Sequence, residues 1–229
     1  MIPNNIIQRT IFVNLGDDIG SAFTIEKNGK QYLISARHVF ETVDNNQEIK
    51  INVFHNDSWK PLTCRATVHP NDDIDLIIFS YDGILGVVRP IQYTTDGISL
   101  GQDTYFLGFP YGKYSPDSKI NSNFPFPFVK KATFSAFKFT EDKGGLLYLD
   151  GHTNPGFSGG PVVFFDRKTS ELKICGVMRG YLPHEGKIDT EYLNEGGEIE
   201  KDYLLYDENS RIIIIQRIED AIKLLETIT

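Results

Sequence analysis

The chain has 229 residues, 40% of them apolar and 24% charged, with 20 Gly, 11 Pro and a formal net charge of -8. That length supports a well-buried core without staples, and the composition lies far from the collagenous, disordered or disulfide-dense extremes. An acidic balance excludes the basic surface that nucleic-acid binding needs, and no apolar run reaches the roughly 18 to 20 residues of a membrane span.

The first 18 residues carry neither a basic n-region nor a greasy h-region ending in small residues. No secretory signal is expected, and the default compartment is cytoplasmic. Short β-branched and aromatic runs follow at 10–15, 21–26, 31–36, 48–54, 62–68 and 75–81, which predict six strands. Over 83–101 Gly, Pro and Thr displace this pattern, and the segment reads as a boundary between two strand groups. The second group is predicted at 104–108, 132–139, 146–149, 161–165, 172–178, 203–206 and 212–215. Two segments, 111–131 and 184–209, read as long surface loops, of the kind that is usually functional. The second is strongly acidic, with nine Asp or Glu against two Lys between Glu185 and Asn209. Finally Ile218, Ala221, Ile222, Leu225 and Ile228 share one helical face, predicting a C-terminal helix over 216–228. About a dozen strands with turns between them indicate an all-β barrel or sandwich.

The two cysteines, Cys64 and Cys175, are far apart and outside any CxxC spacing, so buried thiols are expected, with one loop-closing bridge as the alternative. No cofactor and no metal is expected, since His and acidic residues show no ligand spacing such as HExxH. The strongest chemical signal is Asn154-Pro155-Gly156-Phe157-Ser158-Gly159-Gly160-Pro161, where a serine sits among glycines just before a predicted strand. Small neighbours let a carbonyl approach Ser158 Oγ, and let the N–H groups of Gly156 and Ser158 point where an oxyanion would form. A plain Gly/Pro turn is the alternative reading.

A serine hydroxyl is a poor nucleophile without a base that is itself oriented by a carboxylate. Of the five histidines, His38 ends the strand running through Arg37, where a polar side chain reaches a barrel rim; His55, His69 and His184 lie in polar, turn-like contexts. Among the nearby acids, parity favours Asp75, because Ile77, Phe79 and Tyr81 share its strand face, whereas the first residue on the face of Asp73 is another acid. Asp73 is the main rival.

With His before Asp before Ser on two strand groups, the chain resembles the chymotrypsin-like (trypsin-like) serine endopeptidases. More narrowly, it resembles the bacterial Deg/HtrA-type protease domain through Gly20-Ser21-Ala22-Phe23, Ile34-Ser35-Ala36-Arg37-His38-Val39, Asp75-Leu76-Ile77-Ile78, Leu107-Gly108-Phe109-Pro110-Tyr111-Gly112 and the serine motif. The resemblance implies a single domain, 1–229, of two perpendicular six-stranded antiparallel β-barrels, 1–90 and 91–215, followed by a C-terminal α-helix over 216–229. It also implies a serine endopeptidase in which Ser158 attacks the scissile carbonyl, His38 carries the proton and Asp75 fixes the imidazole. Gly156 and Ser158 would form the oxyanion hole. His152, six residues before Ser158, falls at the base of the primary specificity pocket, and with Thr153 and Arg179 it is read as substrate-binding. This set points to polar or acidic side chains rather than Lys or Arg, the alternative being that His152 packs sideways and Arg179 is solvated.

Two departures from the family matter. Phe157 stands where digestive members carry an Asp, so the ion pair of zymogen activation cannot form, and control by loop ordering or partner binding is expected instead. No PDZ domain is expected after the helix. The expected partner is a protein or peptide substrate, with no nucleic acid or membrane, and a larger assembly or oligomer is left open. The rival readings are a catalytically latent or inactive protease-like binding module, and an esterase using the same three residues.

Overall fold

The computed structural model describes residues 2–115, 121–140, 144–193 and 199–228. Its first six strands are β1 (Thr10–Leu15), β2 (Asp18–Lys27), β3 (Lys30–Ser35), β4 (Glu48–His55), β5 (Ser58–Val68) and β6 (Ile77–Ser80). They close into an antiparallel barrel in the order β1-β2-β3-β6-β5-β4. Local chemistry sets the register of its hairpins. Asn28-Gly29 and Asn56-Asp57 each take positive φ at both residues, the two-residue turn whose twist matches that of the flanking strands. Along β2 and β3, Ala22 and Leu33 point into the barrel, while Phe23, Ile25 and Ile34 alternate to a second core outside it. Burial on both faces explains why these strands read as near-continuous apolar runs.

The second half supplies β7 (Gln92–Tyr93), β8 (Asp103–Gly108), β9 (Phe128–Thr140), β10 (Gly144–Asp150), β11 (Pro161–Asp166), β12 (Glu171–Leu193) and β13 (Ile199–Arg217). Six of them run β11-β8-β9-β10-β13-β12, and pairing of β11 with β12 turns this sheet into a ring; β7 adds a short parallel pair on the outside of β12. Phe106, Phe134, Leu149, Phe157, Phe164 and Met178 fill the ring. The expected all-β architecture is therefore observed, with the two-residue β7 beyond the predicted strands. A short helix α1 (Asn4–Ile7) opens the chain, and α2 (Ile218–Glu226) closes it, two residues later than predicted because Gln216 and Arg217 still belong to β13. Ile218, Ala221, Leu224 and Leu225 of α2 join residues of both strand groups in one core that welds the halves together.

One expectation is corrected. Segment 184–209 is not a loop: β12 and β13 pair without interruption from Pro183 opposite Asn209 to Leu193 opposite Ile199, forming a ribbon beyond the ring. Its tip, 194–198, lies outside the described residues. In segment 111–131 a 3-10 turn (Pro110–Gly112) and a bridge between Ser115 and Phe126 precede β9, which starts four residues before the predicted strand; 116–120 lie outside the described residues. Both cysteines are free and buried, and burial pushes the Cys64 thiol up to about 11. Among the described residues no helix is long and apolar enough to cross a membrane.

Candidate active site

The chain leaves β3 at Ser35 and enters a 3-10 turn over Arg37–Phe40, so His38 stands on a turn and not on a strand end. Val39 and Phe40 bury themselves in the end of the first barrel, which holds the turn while the His38 side chain stays 39% exposed. Asp75 lies two residues before β6 and is buried, whereas Asp73 is exposed. The parity argument thus selected the right acid for burial, although the strand itself begins only at Ile77. His38 Nδ1 sits 2.7 Å from Asp75 Oδ2, and the His38 backbone N–H donates to Oδ1 at 2.9 Å. Burial pushes the Asp75 carboxyl up, but the donors and charge of His38, aided by the Arg179 guanidinium, outweigh it and hold the acid below its ordinary range. With Nδ1 engaged, Nε2 is the nitrogen left to meet a proton donor.

Ser158 sits on a loop pinned from both sides. On one side Phe157 is fully buried in the second core and meets Phe106 edge-on at 5.0 Å. On the other, Ser21 of β2 makes two bonds to the loop and a third to Phe109 beside it. Its N–H donates to the Ser158 carbonyl at 2.9 Å, its Oγ donates to the Gly156 carbonyl at 2.7 Å, and that Oγ accepts the Phe109 N–H at 3.1 Å. Ser35 Oγ in turn donates to the Ser21 carbonyl at 2.8 Å. Gly156 and Gly159 take positive φ, and a Cβ at either would collide with backbone, of Phe109 and Ser21 respectively. Among the described residues the N–H groups of Gly156 and Ser158 have no acceptor. Two free amides, two residues apart on a loop held from both sides, are the donors that binding an oxyanion requires.

Between the barrels runs a cleft of about 710 Å³ whose lining includes His38, Asp75, Arg179, Gly180 and Tyr181. Arg179 reaches across it to the first barrel: Nη1 donates to the Asp73 carbonyl at 3.1 Å, and Nε lies 3.8 Å from Asp75 Oδ2. The Ser158 hydroxyl donates to the Arg179 carbonyl at 3.2 Å, not to His38. His152 is exposed, with Nε2 3.2 Å from Asn154 Nδ2, while Lys130 Nζ donates to the His152 carbonyl at 3.0 Å and to Asn154 Oδ1 at 2.6 Å. Of the pair at that position it is Thr153 that is enclosed: it is 3% exposed and its Oγ1 has no partner among the described residues. The sequence reading missed Ser21, Ser35 and Phe109 as the loop's supports, because their roles exist only across the fold.

A family model described as the trypsin-like peptidase domain matches residues 20–169. No curated protein matches the chain. Among solved structures, the inactive form of a variant of Rv3671c from M. tuberculosis is similar at a TM-score of 0.60 and 13% identity, over 97% of this chain and 87% of that one. The HtrA-type protease AlgW, solved with a tripeptide, is similar at a TM-score of 0.61 and 18% identity, over 98% of this chain and 61% of that one. At such identity these likenesses establish the fold, while the family match covers well over half of the sequence: the chain belongs to the trypsin-like peptidase domain family.

Proposed function

We propose that the protein is a serine endopeptidase whose nucleophile is Ser158, with His38 as general base and Asp75 as its orienting carboxylate. The observation that carries this reading is the His38–Asp75 pair, engaged through both carboxylate oxygens, in a cleft shared with Arg179, whose carbonyl accepts the hydroxyl of a serine loop with two free amides. In this mechanism the Ser158 hydroxyl leaves the Arg179 carbonyl by rotation about χ1 and donates to His38 Nε2. As Oγ attacks the peptide carbonyl, His38 takes the proton, and Asp75 stabilises the imidazolium without accepting a proton itself. The N–H groups of Gly156 and Ser158 receive the developing oxyanion. His38 then protonates the leaving amine, and a water, deprotonated by His38, releases the acyl group. A peptide as the substrate class is supported by the match to the trypsin-like peptidase domain over residues 20–169. Arg179 does not serve the pocket as expected, since its guanidinium is engaged across the cleft at Asp73 and Asp75; His152 and Thr153 are proposed to set side-chain preference, and a panel of peptides varied at the residue before the cleaved bond tests this, with acidic or polar residues expected to be preferred.

The test of the central reading is covalent labelling with a fluorophosphonate probe, located by mass spectrometry, in the native protein, Ser158→Ala and His38→Ala, alongside hydrolysis of a peptide amide and an ester. Labelling at Ser158 that falls at least about 1000-fold in rate in His38→Ala, with amide cleavage, supports the endopeptidase. Cleavage of the ester alone replaces it with the esterase reading. Absence of labelling overturns catalysis and favours a binding module, the reading consistent with a hydroxyl resting on the Arg179 carbonyl.

A further inference from the structure

Arg179 touches both ends of the proposed proton relay. Its carbonyl accepts the Ser158 hydroxyl, and its guanidinium Nε lies 3.8 Å from Asp75 Oδ2, the oxygen that also meets His38 Nδ1. The side chain is held in that place by the bond from Nη1 to the Asp73 carbonyl. Guanidinium is a permanent cation. When His38 takes a proton, a second positive charge must share one carboxylate, so the guanidinium makes the imidazolium less favourable than Asp75 alone would.

Other charges near the ring are the same in every variant at position 179. On the turn of His38 stand Arg37 and Glu41; Arg37 pairs with Asp72 at 2.5 Å and so is largely neutralised. From the segment before β6 come Asp72, Asp73 and Asp75, and from β12 only Arg179. Asp75 is thus the buried anion in contact with both His38 and Arg179.

We propose that Arg179 is a positioning residue that restrains the site, its guanidinium competing with the His38 imidazolium for Asp75. The inference rests on the endopeptidase reading for its meaning but not for its test. The test is an NMR titration of the His38 ring in the native protein, Arg179→Gln, Arg179→Met and Arg179→Lys, with the signal assigned through His38→Gln. Removing the charge is expected to move the midpoint up by roughly 0.5 to 1 pH unit, while Arg179→Lys stays within about 0.2 of the native protein. The side chain is 34% exposed, so neither uncharged variant opens a core cavity. A native-like midpoint in both uncharged variants overturns the proposal, as does an equal shift in Arg179→Lys, which would mark geometry and not charge. The titration requires no turnover, so failure of Ser158 labelling would sink the endopeptidase reading while this result stands or falls separately.

Discussion

Phe157 shows how one apolar side chain can anchor the serine loop by packing. It carries no charge, yet it is fully buried against Phe106, and a Cβ at Gly108 would strike it, so the loop is held by packing that exists as soon as the second core forms. Phe157→Ala is therefore expected to lose about 3 to 5 kcal/mol of stability by urea unfolding and to lose Ser158 labelling even where folded. Retained labelling would show that Ser21 alone suffices to hold the loop. Asp75 lends itself to a pH test. Its acid is held below the ordinary range in the folded state, so the unfolded chain takes up the proton first as pH falls. The stability contributed by the pair is whole above the ordinary carboxylate range and is lost as pH drops through the depressed folded value. Urea unfolding of the native protein and Asp75→Asn between pH 6 and 3 should then show a stability gap that narrows toward acid; a constant gap would mean that the carboxylate's charge is not what stabilises the turn.

The ribbon formed by the ends of β12 and β13 stands apart from the remaining elements. Its apolar side chains, such as Ile188 opposite Leu204, are exposed, and its surface ion pairs, Lys201 with Glu191 at 3.3 Å among them, lie within the ribbon. Two strands alone are marginal in water, and a segment without core contacts adds little to global stability. Replacing residues 184–208 by Asn-Gly, which leaves Pro183 opposite Asn209 across a two-residue turn, should shift Tm by no more than about 3 °C. A larger loss would show that the ribbon packs on the domain in solution. Its solvation also explains why, apart from the strand expected at 203–206, it was illegible in the sequence: strand recognition relies on a buried face, and here acids fall on both faces among Ile188, Tyr203 and Leu204. The serine loop was legible for the opposite reason, since Gly156 and Gly159 occupy backbone conformations that little else tolerates. His38 and Asp75 were legible by order and alternation, although neither lies on a strand. Ser21 was not, because its partner Gly156 is 135 residues away and no local pattern announces the bond.

At the scale of the whole molecule the cleft is only as stable as the contact between its two walls. His38 and Asp75 belong to the first barrel, Ser158 and Arg179 to the second half, and the core between them joins Phe23, Ile25 and Ile78 with Leu107, Val163 and Val177. Helix α2 supplies the rest of that core through Ile218, Ala221, Leu224 and Leu225, so a segment far from the cleft in sequence determines whether its walls stay together. Burial of the buried Arg9 guanidinium against Glu26 at 2.6 Å, with the Arg89 carbonyl as a further acceptor, ties the connection between the halves to β2 as well. Leu225→Ala should then remove about 2 to 5 kcal/mol and lower Tm by at least about 5 °C. The decisive feature is the form of the transition. Because both halves share one core, far-UV and near-UV circular dichroism and Ser158 labelling should be lost together in a single step. Two separated steps in Leu225→Ala, with labelling lost in the first, would mean that each half folds alone and that α2 serves only to hold the walls of the cleft in register.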